Sequence, residues 1–135
     1  SIVFPNIQIV EHIEGEHLGY GLDFGYAVDP STLIQVFKKD DKLYLKELFY
    51  ERQLTNDMIA NKFKELGVDP RVSIYADSSE PKSIAEIHRF GWNIKKATKG
   101  RDSINMGIDI LRRYKLHIHR SSTNLINMKL LEIIL

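Results

Sequence analysis

The first half of the chain alternates apolar and polar positions in the way that is typical of β-strands. Three stretches predict strands: Leu18–Ala27, which is typical of a buried strand that opens into a Gly-containing turn, then Thr32–Lys38 and Lys42–Tyr50. The alternation is imperfect in the last stretch, at Tyr44, Glu47 and Tyr50. The polar residues Lys39–Asp41 separate the last two stretches, so we predict that these two strands form a β-hairpin. Residues 1–17 are mixed in character, and we expect a short strand and a lead-in there.

The second half of the chain alternates between helical and strand patterns. Apolar residues recur at helical spacing between start and stop signals in four segments: 55–67, 81–91, 102–115 and 121–135. Short apolar runs that are typical of buried strands lie between them: Val72–Ala76, Trp92–Ala97 and Leu116–His119. The order β-β-β-α-β-α-β-α-β-α predicts an α/β fold, a mixed sheet with helices on both faces. This is the ribonuclease-H-like order, although periodicity alone fits several α/β folds.

Length and composition indicate one folded domain. The chain has 135 residues, of which 43% are hydrophobic and 27% are charged. It contains no cysteine, which excludes a disulfide framework, a thiolate metal site and a cysteine nucleophile. No apolar run approaches the roughly 18–20 residues that cross a bilayer, and no signal-peptide pattern is present. We therefore expect a single cytoplasmic domain without a membrane partner.

The two halves of the chain differ in charge. Residues 1–53 carry five Lys and Arg against nine Asp and Glu, whereas residues 54–135 carry fourteen against nine. The densest basic segment contains Lys95, Lys96, Lys99 and Arg101, with no acidic residue between them. Such a segment is a candidate surface for a polyanion such as DNA. The alternative is an ordinary solvated surface, where most lysines lie.

Two aspartates lie in otherwise apolar strands and are candidates for chemistry. Asp23 follows Leu22 in the first predicted strand, and Asp77 ends the fourth. The predicted topology places these strands side by side, so both carboxylates would meet at one sheet edge, where a cation would relieve their repulsion. Oxygen ligands favour Mg²⁺ or Mn²⁺, and two such ions can activate a water and stabilise the leaving oxygen in phosphodiester cleavage, as in a two-metal-type endonuclease. The alternative is that each aspartate only caps a turn, and the turn role also fits Asp29, which precedes Pro30.

Other chemistries lack their motifs. The chain has no Gly-x-x-x-x-Gly-Lys-Ser/Thr phosphate loop and no His-x-x-x-His pair of a zinc protease. Gly19, Gly21 and Gly25 miss the dinucleotide-binding spacing. Ser78 and Ser79 lack the Gly-x-Ser-x-Gly context of a hydrolase nucleophile. The paired aspartates therefore remain the main candidate site.

Three stretches of the sequence resemble a known family. They are Gly21–Tyr26 followed by Asp29-Pro30, then Tyr75–Ile84, and then Lys99–Ile104. Together they resemble the nuclease domain of the large terminase subunit of tailed bacteriophages, over about Leu18 to Asn127. The most specific part is Ala-Asp-Ser-x-Glu-Pro-Lys-Ser-Ile at residues 76–84.

The resemblance implies a ribonuclease-H-like endonuclease that cuts concatemeric viral DNA during genome packaging in the host bacterial cytoplasm. It implies that Asp23 and Asp77 bind Mg²⁺ or Mn²⁺, with Asp29 assisting, and that the basic segment from Lys95 to Arg101 lies near the DNA backbone. The implied partners are double-stranded DNA, the terminase ATPase domain, the small terminase subunit and the portal.

The sequence also departs from the family pattern. No ATPase motif is present, and the family's last metal-binding acid, on a later helix, has no match around Glu132. We therefore expect an excised domain or a fragment with a shortened C terminus. One alternative hypothesis is a prophage terminase remnant that binds DNA or a packaging partner without cutting. Another is half of an actin-like ATPase, which would need a second lobe that 135 residues cannot supply.

Overall fold

The computed structural model describes residues 7–25, 28–97 and 114–127. In these residues the chain forms the strands β1 (Ile7–Val10), β2 (Glu16–Asp23), β3 (Ser31–Lys39), β4 (Lys42–Glu51), β5 (Ile74–Asp77), β6 (Ile94–Ala97) and β7 (Lys115–His119). The helices are α1 (Asn56–Glu65), α2 (Pro81–Arg89) and α3 (Thr123–Asn127). The helix predicted within 102–115 lies outside the described residues, as does the part of the last predicted helix beyond residue 127.

These strands form one sheet in the order β1-β7-β4-β3-β2-β5-β6. Strands β2, β3 and β4 pair antiparallel, and the other neighbours pair parallel. The mixed sheet, the β3–β4 hairpin and the N-terminal strand confirm the predictions. The first predicted strand begins two residues earlier than predicted, at Glu16, and ends at Asp23, before Gly25 of the predicted turn. Beyond Asp23 the Gly25 amide donates to the side-chain hydroxyl of Ser31, at the start of β3.

One face of the sheet packs against α1 and α2. Alternate residues of β2 and β5 point to this face: Tyr20, Leu22, Ile74 and Ala76 are each at most 4% exposed. Phe63 of α1 is fully buried in the same cluster. Burial of a side chain of this size contributes about 1.5–3 kcal/mol. Because a one-residue slip would turn these side chains to the other face, the core fixes the register of β2 on β5.

Local signals set the ends of α1 and α2 as predicted. The Thr55 hydroxyl accepts a hydrogen bond from the Met58 amide at the start of α1. Gly67, with a φ of +71°, follows the end of α1, and Pro81 is the first residue of α2. Among the described residues, no helix combines the length and the apolar character that a membrane span requires.

The opposite face of the sheet packs against α3. Its buried cluster includes Leu43, Leu45, Leu116 and Ile118 of the strands, together with Leu125 of α3. These contacts confirm helices on both faces. Within the described part of the chain, the strand members of this cluster lie on β3, β4 and β7 and not on β2 or β5.

Candidate functional site

Asp23 and Asp77 end neighbouring parallel strands. Leu22 of β2 and Ala76 of β5 are partners in the sheet, and the next residue of each strand is the aspartate. Parallel neighbours lie about 4.8 Å apart, and partners in register point to the same face. Since Leu22 and Ala76 face α1 and α2, both aspartates project from the opposite face, where both are exposed. The structure therefore brings these two predicted residues together.

In the part of the chain that the structure describes, no Lys, Arg or His side chain forms an ion pair with the acidic pair, Asp23 and Asp77. Although Asp23 is exposed, desolvation of its carboxyl by the surrounding protein raises its pKa above the ordinary value, and the negative charges of Asp77 and Asp29 raise it further. Among the described residues, the ion pairs involve none of these three aspartates. The carboxylates of these three described residues therefore repel one another, and a bound cation would relieve this repulsion.

Asp77 also serves the local turn. Its Oδ1 accepts a hydrogen bond of 3.0 Å from the Ser79 amide, and its carbonyl oxygen accepts one of 3.1 Å from the Glu80 amide. These bonds lead the chain from β5 into α2. The turn role and a ligand role are compatible here, because only one carboxylate oxygen is engaged in the turn.

Asp29 lies on the loop between β2 and β3, and its side chain is exposed. Its charge acts on Asp23, as the raised pKa of Asp23 reflects. Across residues 7–25, 28–97 and 114–127, however, no three His, Asp or Glu side chains converge closely enough to hold a metal ion. Asp29 thus stands near the acidic pair without completing a three-residue cluster.

Lys95 and Lys96 lie on β6, the strand next to β5. Both side chains are exposed. Lys95 is the sheet partner of Tyr75, two residues before Asp77, so it shares the face of the acidic pair, whereas Lys96 points to the other face. The other two predicted DNA-binding residues, Lys99 and Arg101, lie outside the described residues.

Sequence reasoning missed two residues that shape the loop carrying Asp29. The Ser31 hydroxyl bonds to the backbone of Gly25, and the Arg52 side chain donates to the Val28 carbonyl at 3.0 Å. Neither residue belongs to a motif or stands out from its strand pattern. Only the folded contacts reveal them.

The chain is similar to known proteins of one class, the terminases. The chain matches the family described as terminase RNAseH like domain over residues 23–134. It is 31% identical over 117 residues to the large terminase subunit of Bacillus phage SPP1, covering 78% of this chain and 28% of that protein. It is 30% identical over 81 residues to the PBSX phage terminase large subunit of Bacillus subtilis, covering 58% of this chain and 18% of that protein. The chain therefore spans less than a third of either relative.

A solved structure shares the fold. It is the crystal structure of the large terminase nuclease domain from bacteriophage SPP1 with bound Mn. The similarity has a TM-score of 0.71 at 27% identity and covers 92% of this chain and 77% of that chain. It confirms the predicted ribonuclease-H-like class of the mixed sheet.

Proposed function

Because this chain belongs to the terminase RNase H-like domain family, we propose that it is a metal-dependent endonuclease domain that cuts concatemeric viral DNA during phage genome packaging. The observation that carries this proposal is the acidic pair, Asp23 and Asp77, at the ends of two adjacent parallel strands. The SPP1 nuclease domain contains bound Mn, which supports a divalent metal in this chain as well.

The donor chemistry of the pair fits Mg²⁺ or Mn²⁺. Carboxylate oxygens are the ligands that these cations prefer, whereas zinc favours nitrogen and sulfur. Both side chains are exposed, so a cation can reach them. We propose that Asp23 and Asp77 hold the metal and that Asp29 assists by its charge. Such an ion supplies an activated water and stabilises the leaving oxygen in phosphodiester hydrolysis.

In this proposal a backbone amide orients one metal ligand, and basic side chains contact the DNA. The Ser79 amide fixes one oxygen of Asp77, which restricts the orientation of that carboxylate. We propose that Lys95, which lies on the same face as the acidic pair, contacts DNA phosphates, and that Lys96, Lys99 and Arg101 do so as well. Phosphate contacts read little sequence, so we expect a nuclease with low sequence preference.

The partners we propose follow from the relatives. The two curated relatives are large terminase subunits. We propose that this domain acts on double-stranded DNA together with a terminase ATPase domain, a small terminase subunit and a portal. The setting would be the cytoplasm of a bacterial host.

Nicking of supercoiled plasmid tests the proposed function. The purified chain is incubated with plasmid in Mn²⁺, in Mg²⁺ and in EDTA. We expect open circles only with metal, and a loss of at least about 100-fold in Asp23→Asn and in Asp77→Asn, since each substitution removes a ligand charge. Asp40→Asn is the matched control, because Asp40 is exposed on the distant hairpin turn and its φ of +54° suits asparagine.

Two results would contradict the assignment. Metal-dependent nicking that survives both substitutions would place the activity elsewhere. Salt-sensitive DNA binding by the wild-type chain, without nicking under any metal condition, would instead support the hypothesis of a fragment that binds DNA without cutting.

A further inference from the structure

A buried hydroxyl closes the loop between β2 and β3. The Ser31 Oγ accepts a hydrogen bond of 2.9 Å from the Gly25 amide and donates one of 3.3 Å to the Gly25 carbonyl. Ser31 is only 1% exposed, so water cannot readily replace these bonds. The two ends of the loop are thus joined by a single side chain.

The two ends of the loop are also in direct backbone contact. A Cβ atom added to Gly25 would overlap the carbonyl oxygen of Asp29 and the backbone of Pro30. Only glycine permits this close approach. The contact brings the backbone of Asp29 against the residue that lies two positions after Asp23.

A second contact holds the outer side of the loop. The Arg52 side chain, just beyond β4, donates a hydrogen bond of 3.0 Å from Nε to the Val28 carbonyl. Val28 directly precedes Asp29 in the chain. Asp29 therefore lies between one contact at Val28 and another at Ser31.

We propose that Ser31 is a positioning residue, which closes this loop and thereby holds the Asp29 carboxylate where its charge strengthens cation binding at Asp23 and Asp77. This inference rests on the proposed function, because it assigns Ser31 a role toward that metal site. Ser31 touches neither the cation nor DNA and acts only through Asp29.

Mn²⁺ titration of the purified chain tests the inference without reference to cleavage. Mn²⁺ affinity is measured by electron paramagnetic resonance for the wild type, Ser31→Ala, Asp29→Asn and the double variant. We expect each single variant to bind Mn²⁺ about fivefold to tenfold more weakly, which is the effect of one carboxylate charge near a divalent ion. The double variant is expected to bind no more weakly than Asp29→Asn, since Ser31 acts through Asp29.

Ser122→Ala is the matched control. Ser122 is also a fully buried serine whose hydroxyl accepts a backbone hydrogen bond, from the Glu47 amide at 2.8 Å. Its loss perturbs the fold in a similar way but away from the acidic pair, so Mn²⁺ affinity should stay unchanged. If Ser31→Ala is too unstable to purify, Ser31→Cys keeps the volume and weakens both hydrogen bonds.

The possible outcomes separate the two proposals. Unchanged Mn²⁺ affinity in Ser31→Ala, or a further loss in the double variant, would overturn the positioning role while leaving the metal site intact. Failure of the wild type to bind Mn²⁺ would overturn the proposed function. In that event hydrogen exchange of the Gly25 amide still tests the closure of the loop. Exchange at least about tenfold faster in Ser31→Ala would support it, and unchanged exchange would overturn it.

Discussion

At the scale of single residues, the acidic pair is a feature that stability alone would not favour. Asp23 stands at the end of a strand whose preceding residue, Leu22, is buried in the core. Desolvation and the negative charges of Asp77 and Asp29 disfavour the ionised form of its carboxyl and raise its pKa. Groups held in such unfavourable surroundings are concentrated at functional sites. This conflict was visible in the sequence, because Asp23 lies between the apolar residues Leu22 and Phe24 and Asp77 directly follows an apolar run.

The same conflict predicts how stability depends on pH. Because the pKa of Asp23 is raised on folding, the folded protein holds this proton more tightly than the unfolded chain does. Stability therefore falls as the pH rises from the unfolded pKa through the folded pKa. We expect Asp23→Asn to raise the Tm at pH 7 in EDTA and to leave it unchanged at a pH below the unfolded value. Thermal unfolding at both pH values measures this difference.

Asp40→Asn provides the control for the pH prediction. It removes the same charge from an exposed turn, so its Tm should follow that of the wild type at both pH values. If Asp23→Asn lowered the Tm at pH 7, Asp23 would be a stabilising residue and the account of its electrostatics would be wrong.

For the strands and helices, contacts between residues far apart in the chain determine how the elements dock, which the sequence pattern does not predict. Glu47 of β4 accepts hydrogen bonds from the Leu125 amide and from the Asn124 side chain, each of 2.8 Å. Its own amide donates to Ser122. These reciprocal bonds dock α3 on the sheet. Periodicity predicted a helix here, but pattern within one segment could not reveal a partner more than seventy residues away.

The docking of α3 predicts that substitutions of two adjacent serines change the free energy of unfolding by different amounts. Ser122→Ala leaves the Glu47 amide without its partner, so we expect a loss of about 1–2 kcal/mol in the free energy of unfolding. The adjacent Ser121→Ala, at an exposed position, should change it by less than about 0.5 kcal/mol. Urea denaturation measures both values. Equal effects would show that the bond to Glu47 does not stabilise α3.

For the whole molecule, the order of the predicted strands and helices predicted more of the fold than the amino-acid composition alone could. The order of strands and helices predicted a mixed sheet with its first and fourth predicted strands adjacent, and the pairing of β2 with β5 confirms this. The family predicted from the motifs is confirmed by the match over residues 23–134. The loop contacts of Ser31 and Arg52 were not predictable, because they depend on side chains meeting backbone groups across separate strands.

The arrangement of charge across the sheet predicts a directional effect on DNA binding. Lys95 shares the face of the acidic pair, so Lys95→Ala should weaken binding to duplex DNA and reduce the slope of log affinity against log salt by about one. The exposed Lys64 of α1 is the matched control, and Lys64→Ala should leave the slope unchanged. Fluorescence anisotropy in EDTA measures both. Equal slopes for the two variants would mean that Lys95 is an ordinary surface lysine.

An anomalous difference map from a crystal of this chain soaked in Mn²⁺ would show whether Asp23 and Asp77 share a cation. We expect one strong peak within ligand distance, about 2.0–2.3 Å, of carboxylate oxygens of both Asp23 and Asp77. That peak should disappear in Asp23→Asn. A map without a peak there at saturating Mn²⁺, or a structure with the two carboxylates directed away from one another, would refute a metal site shared by Asp23 and Asp77.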